Sequence, residues 1–346
     1  MTDDAVPAPA ERGWGRLLLA LAAFLLVPRI PPLNALLPVE ETLYLLLPAI
    51  AACCLVGWWA GGRLSLAIVW VGIAAYVVAQ PAPVESFYNL ARGWSLLLAG
   101  GFGLICLLSP RLPFFPRALA AVSLALVLVF ATGGRGPLSP GRARQAVRSE
   151  LARRNAHSVE LVRRAIRENP QVVKSMPQMA SLPDTMQAQT KVMANAGTIV
   201  FPSLLLLESL VALALAWATY HRIGRTRIGA PLAPLKDFRF NDQLVWGLIA
   251  GLAIVFVPAL DFLGGAGRNL LVFFGALYAV RGFGVLTWFI APGSFAASLL
   301  VGFVMLWWPV LDAIALLGFV VLALAAFGLG LGDTWADWRH RARPTT

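Results

Sequence analysis

The stretch Thr198–Tyr220 (TIVFPSLLLLESLVALALAWATY) constrains this chain more than any other. Its 23 residues contain no Lys, Arg or Asp, and a single acid, Glu208, sits near the middle. At about 1.5 Å per residue such a helix covers roughly 34 Å, enough for a hydrocarbon core about 30 Å thick. A long basic segment precedes it, and the cluster His221, Arg222, Arg225 and Arg227 follows. A helix crossing here puts those two polar flanks on opposite sides of a bilayer and sets the parity of every other segment.

The rest of the chain has the same character. Of 346 residues 59% are hydrophobic and only 13% charged, against about 25% charged in soluble domains. Apolar stretches run from Leu17 to near Leu37 (broken at Pro28, Pro31 and Pro32), then Thr42–Gly61, Leu64–Gln80, Tyr88–Leu108 and Phe114–Thr132. After a polar insert come Thr198–Tyr220, Gln243–Leu263, Asn269–Ala291, Ser294–Trp308 and Val310–Leu331, the last two divided at Trp307-Trp308-Pro309. The pattern predicts an all-α, polytopic integral membrane bundle of about ten transmembrane helices, with eight to ten the range because the first and ninth are short. It divides into a tail (1–16), an N-terminal membrane half (17–132), a basic helical insert (133–197), a C-terminal membrane half (198–331) and a second tail (332–346). Trp58, Trp59, Trp246, Trp307, Trp308, Trp335 and Trp338 fall near the expected interfaces, where indole rings settle.

Orientation follows from the short loops. With the N-terminus inside, one set carries Arg12, Arg16, Arg63, Arg111, Arg117, Arg222, Arg225, Arg227, Lys236, Arg239, Arg339, Arg341 and Arg343, and the other only Arg29, Arg92 and Arg268. The positive-inside rule then places both termini in the cytoplasm of a cell (inner) membrane. The net charge of +11 is a product of this topology and of the insert, and nucleic acid is not an expected partner. Parity puts the insert outside although Ala131–Gly197 carries eleven Lys/Arg against four acids; loops beyond about 60 residues translocate largely regardless of charge.

Within the insert, Gly141–Asn169 reads as an amphipathic helix ended by Pro170, with Val147, Leu151, Val162 and Ile166 compatible with one face. Glu150 lies four before Arg154 and Glu160 four before Arg164, favourable helical pairs. Such a helix either lies on anionic headgroups or docks a partner, or it is a solvated cap on the bundle.

Catalytic sets are incomplete. His157, His221 and His340 all lie in polar segments, and neither HExxH nor GxxxxGK[ST] occurs. Gly330-Leu331-Gly332-Asp333 spells the GxGD of intramembrane aspartyl proteases, but the second carboxylate such chemistry needs has no Tyr-Asp pair in any span. Asp333 is expected at the end of a helix that stops at glycine. Cys53, Cys54 and Cys106 read as small buried hydrophobes. No enzymatic activity, metal or cofactor is expected.

Charges inside spans are the remaining lead, because each costs about 2.5–3.5 kcal/mol at a helix centre and so faces protein or water. Glu208 and Arg281 are mid-span and opposite in sign, which suggests an ion pair; Asp312 and Asp261 lie nearer outer ends, with Asn269 and Arg268 across the Gly264-Gly265 turn. Either these groups line an outward-opening polar cavity for a solute or proton, or Glu208 and Arg281 fix helix register while the aspartates sit in wet interface. The GxxxG of Gly247–Gly251, and Gly275 with Ala279, suit close helix packing.

The second half carries a resemblance. Pro202–Tyr220 with its basic turn, Pro234-Leu235-Lys236-Asp237-Phe238-Arg239-Phe240, Asn269–Phe289 and Gly332–Arg339 are similar to the YybS-like family of bacterial membrane proteins, a domain of unknown function (2232). The N-terminal half shares only hydropathy, and the long basic insert is a departure. The family supplies no catalytic residues. It resembles in turn the solute-binding components of energy-coupling-factor importers, which implies a bundle holding a small molecule near its outer face. The expected roles are a small-solute-binding or transport component, working in the bilayer with other membrane subunits, or a non-enzymatic scaffold or envelope-assembly protein whose insert binds partners or lipid headgroups.

Overall fold

A computed structural model describes residues 14–26, 42–81, 87–131, 139–169, 171, 181–290 and 312–337. Among them every regular element is helical: α1 (Trp14–Leu26), α2 (Thr42–Trp59), α3 (Leu64–Val78), α4 (Phe87–Leu108), α5 (Phe114–Ala131), α6 (Pro140–Glu168), α7 (Leu182–Ile223), α8 (Val245–Phe256), α9 (Gly264–Phe289) and α10 (Asp312–Ala336), with short 3₁₀ turns between α7 and α9. Five segments are long and apolar enough to cross a membrane: Thr42–Trp59, Phe87–Leu108, Phe114–Ala131, Ala194–Ile223 and Pro258–Phe289. The expected break at Pro28–Pro32 and the expected ninth span lie outside the described residues.

α7 is the axis of the bundle. Leu213, Ala216, Trp217 and Tyr220 on it are buried in one core with α2, α4, α5, α8 and α9. At one end of that core Trp217 stacks among Phe102 and Phe114. At the other, Phe201 and Ala194 of α7 join Phe87 and Leu90 of α4 and Val147 and Leu151 of α6. Ala194 and Trp217 are about 35 Å apart along a helix. The basic α6 therefore sits at one end of the bundle, and the arginine-bearing connections 60–63, 109–113 and 224–244 sit at the other.

α7 does not begin where its apolar run begins. It starts at Leu182, with Pro183 in the first turn, and continues unbroken for 42 residues through Pro202. Its polar first third packs antiparallel against α6: Arg163 reaches Gln187 at 3.2 Å and Asp184 at 3.6 Å, while Val147 and Leu151 meet Ala194 and Phe201. α6 is the expected amphipathic helix, but Val159 joins its buried face, and Val162 and Ile166 are only half-buried. Glu150 bonds Arg153 and Arg154, both at their closest within 2.8 Å. Glu160 bonds Arg167 at 2.6 Å rather than Arg164.

Two expected spans have different bounds. Gln243–Leu263 is α-helical only over Val245–Phe256, because Pro258 cannot donate and drives Val257 extended (φ −92°, ψ 112°). The resulting helix is about 18 Å long, short of a hydrocarbon core. It folds back on α9, whose Gly264 and Gly265 form the first helical turn and not a loop. The GxxxG of α8 faces α9: a Cβ on Gly247 would overlap the Phe274 ring, and one on Gly251 would crowd Leu270 and Leu271. α10 runs past the expected stop at Leu331 to Ala336. Gly330 serves close packing, since a Cβ on it would overlap the Tyr278 carbonyl and one on Gly282 the Ala326 carbonyl.

Candidate functional site

Three polar clusters interrupt the apolar bundle. The first surrounds Arg281 on α9, whose side chain is 2% exposed. Its Nε donates to Asp333 Oδ2 at 3.0 Å, one Nη to the Asp333 carbonyl at 3.2 Å, and the other Nη to Asp242 Oδ1 at 2.5 Å. The guanidinium also lies 5.4 Å from the centre of the Phe240 ring. Asp333 is fully buried, whereas Asp242 is 58% exposed. Alongside, at the surface, Arg239 pairs with Asp337 at 2.5 Å. A guanidinium taken out of water needs a desolvated counter-charge, and Asp333 provides it while Asp242 ties the pair to the 3₁₀ turn before α8.

The expected Glu208–Arg281 pair is therefore not formed. Glu208 is half-buried midway along the apolar part of α7, and its side chain makes no hydrogen bond or ion pair among the described residues. Its neighbour Ser209 accepts from Trp94 Nε1 at 2.9 Å and donates to the Leu205 carbonyl. Register between α9 and its neighbours is held by aspartates that lie in a loop and beside a helix end. The GxGD aspartate is the arginine's partner, which accounts for its burial.

Asn269 forms the second cluster, and its amide is fully engaged. Oδ1 accepts from Ser203 N at 3.0 Å and from Ser203 Oγ at 2.7 Å; Nδ2 donates to the Ile199 carbonyl at 2.8 Å and to the Gly265 carbonyl at 2.7 Å. Ser203 N–H and Ile199 C=O are the two ends of one i→i−4 rung of α7. The rung before it is the one Pro202 abolishes by lacking an N–H. Asn269 thus acts as a peptide group supplied by α9 at the point where α7 leaves the bundle, a known way for membrane helices to tolerate proline. Asp261 and Arg268 do not join it; both are exposed, and neither side chain makes a hydrogen bond or ion pair among the described residues. Asp312 opens α10, and its side chain lies outside the described residues.

The third cluster was not legible beforehand. Arg117, counted above as a loop charge, is wholly buried. It lies 4.9 Å from the Trp217 ring and donates to the carbonyls of Pro110 (3.0 Å) and Leu112 (2.7 Å). The segment 224–230 closes over it, fastened by Tyr220 Oη to the Thr226 carbonyl, His221 to the Gly229 carbonyl (3.2 Å) and Trp217 Nε1 to the Ala230 carbonyl (3.0 Å). Gly229 has φ +73° and stands against Arg117, two reasons for glycine there. Among the described residues no group of three or more His, Cys, Asp or Glu converges as a metal site would require.

The match to a known family begins inside α6 and ends within α10. Residues 152–320 match the family Predicted membrane protein (DUF2232). No curated protein and no solved structure matches the chain. The DUF2232 region takes in α7, α8, α9 and the second half of α6, so most of the basic insert belongs to the family pattern and is not an addition to it. It contains Ser203, Asn269, Arg281 and Asp242 but stops short of Asp333. The family description gives a membrane protein and no activity; a YybS-like grouping and a likeness to importer components are not part of it.

Proposed function

We propose that this DUF2232 protein is a non-enzymatic scaffold of the bacterial inner membrane, with both termini cytoplasmic, that presents a basic helical arm on the far side of the bilayer for a partner subunit. The observation that supports this is the continuity of α7. One helix is both the axis of the bundle and the backbone of the arm, so α6 is mounted on the membrane core without a hinge loop. Away from its contacts with α7, α6 bears Arg142, Arg144, Arg148, Arg153, Arg164 and Arg167, all exposed. Charge of one sign held in a fixed geometry favours steering and register over bulk affinity. The test replaces Arg142, Arg144, Arg148 and Arg164 by Gln and compares proteins co-purified after in-cell crosslinking. Loss of a specific crosslinked subunit with the bundle still folded is expected; an unchanged crosslinking pattern would remove the arm from the function.

Glu208 favours a second reading, a small-solute or proton pathway through the bundle. A mid-span acid with no partner among the described residues is costly to keep for packing alone. Glu208→Gln separates the two: it abolishes activity under the transport reading and leaves arm-dependent crosslinking intact under the scaffold reading.

A further inference from the structure

A cleft opens at the arginine-rich end of the bundle, between the α2–α3 turn and the segment after α7, and nothing above uses it. Its floor is Tyr220, and its walls are the backbones of Gly57, Gly62 and Gly224, with Trp58 at the edge. Each glycine is required by close approach: a Cβ on Gly57 would run into the Tyr220 ring, one on Gly62 would crowd the Gly57 carbonyl, and one on Gly224 the Tyr220 carbonyl. Gly61, with φ +93°, turns the chain between them. The bond from Tyr220 to the Thr226 carbonyl fixes the other lip.

Among the described residues two arginines line this cleft and no acid does. Arg63 follows the glycine turn and Arg225 follows Gly224; both are exposed, and neither bonds to any carboxylate among the described residues. This differs from Arg117 and Arg281, which the protein satisfies internally. Beside the cleft the surface becomes apolar at once: Leu55, Trp59 and Ile68 on α2 and α3 are exposed. A bilayer surrounding the bundle brings acyl chains against those side chains and headgroups level with Trp58.

We propose that the mouth of this shallow cleft, whose interior has room for little more than a water, binds the phosphate of an anionic phospholipid, with Arg63 and Arg225 as its two cationic ligands. A guanidinium presents paired N–H donors that match phosphate oxygens, and two of them on backbone held rigid by glycine contacts define a position rather than a diffuse attraction. The adjoining apolar strip accounts for a lipid, not a free anion, as the occupant, in keeping with basic pockets between membrane helices that take lipid headgroups.

The experiment is native mass spectrometry of the full chain released from nanodiscs of equal phosphatidylglycerol and phosphatidylcholine. Wild type should retain phosphatidylglycerol. The double variant Arg63→Gln/Arg225→Gln should retain it at least about tenfold less, the loss that removal of one charge-assisted hydrogen bond to phosphate already accounts for. Arg16→Gln/Arg111→Gln removes two exposed arginines that do not line the cleft and should leave retention near wild type. Equal loss in both variants would reduce the effect to general charge and overturn the site. Displacement of the lipid by millimolar inorganic phosphate would overturn the lipid as occupant. Both arginines are exposed, so folding should survive; Arg63→Lys/Arg225→Lys keeps the charge without the paired donors and should fall between wild type and the Gln variant.

Discussion

Replacing Arg281 by Met tests whether Asp333, rather than Glu208, is its partner. Arg281→Met takes from the fully buried Asp333 the guanidinium it meets at 3.0 Å, and breaking a buried pair by removing one member costs about 3–5 kcal/mol. The Asp242 contact adds little, because that carboxylate is more than half exposed and solvent-screened pairs contribute at most about 1 kcal/mol. The double variant Arg281→Met/Asp333→Leu removes both charges from the apolar contact between α9 and α10, so most of the loss should return. Thermal and denaturant unfolding in mild detergent would give the cycle, with an expected coupling of about 2 kcal/mol or more between positions 281 and 333 and under about 0.5 kcal/mol between 281 and Glu208→Gln. Coupling of 281 to 208 and not to 333 would refute the assignment, and so would a double variant as unstable as the single.

Asn269→Asp should destabilise more than Asn269→Leu although it is nearly isosteric. Leu lets Ser203 N–H and Ile199 C=O bond each other and costs about 1 kcal/mol, while Asp sets an acceptor against two carbonyls; hydrogen exchange at 198–204 would rank them. Burial raises the pKa of Glu150, but bonds from Arg153 and Arg154 outweigh it and the net shift is downward. For a depressed acid the stabilisation is complete above the ordinary glutamate range and is lost as pH falls through the folded value. The fit of α6 on α7 should therefore be insensitive to pH near neutrality and loosen only in acid below that range, with Glu150→Gln loosening it at neutral pH; exchange protection of 143–154 reads both. Cys53, Cys54 and Cys106 are buried, so cysteines placed at Arg164 and Arg225 can be labelled selectively. An impermeant thiol reagent should reach them from opposite faces of the membrane, and labelling from the same face would overturn the topology.

Hydropathy and periodicity carry far here because both are properties of a helix in isolation. The amphipathic α6, the long apolar run of α7 and the opposition of insert and basic loops at the two ends of the bundle all follow from them. What they miss depends on pairings between helices. Nothing local distinguishes Arg117, buried under Trp217 and the 224–230 segment, from the exposed Arg111 six residues earlier. Arg281 and Glu208 have opposite charges and similar depth, but depth does not say which helix faces which, and the partner came from a helix end expected to be wet. Glycine misled for a related reason: Gly330 and Gly332 look like a stop signal, whereas Gly330 permits backbone contact with α9. Pro258, by contrast, acted through its own backbone, and a closer reading of its effect on Val257 would have shortened α8.

A helix that continues from lipid into water without a break is also a rod. From the Asn269–Ser203 clamp to Leu182 is about 31 Å of helix, so tilting α7 by about 10° at that clamp would carry the tip of the arm sideways by about 5 Å. Because the clamp replaces a hydrogen bond of α7 with one from α9, the fulcrum belongs to a neighbouring element. Small rearrangements where α9 packs would be read out, enlarged, at the tip of the arm.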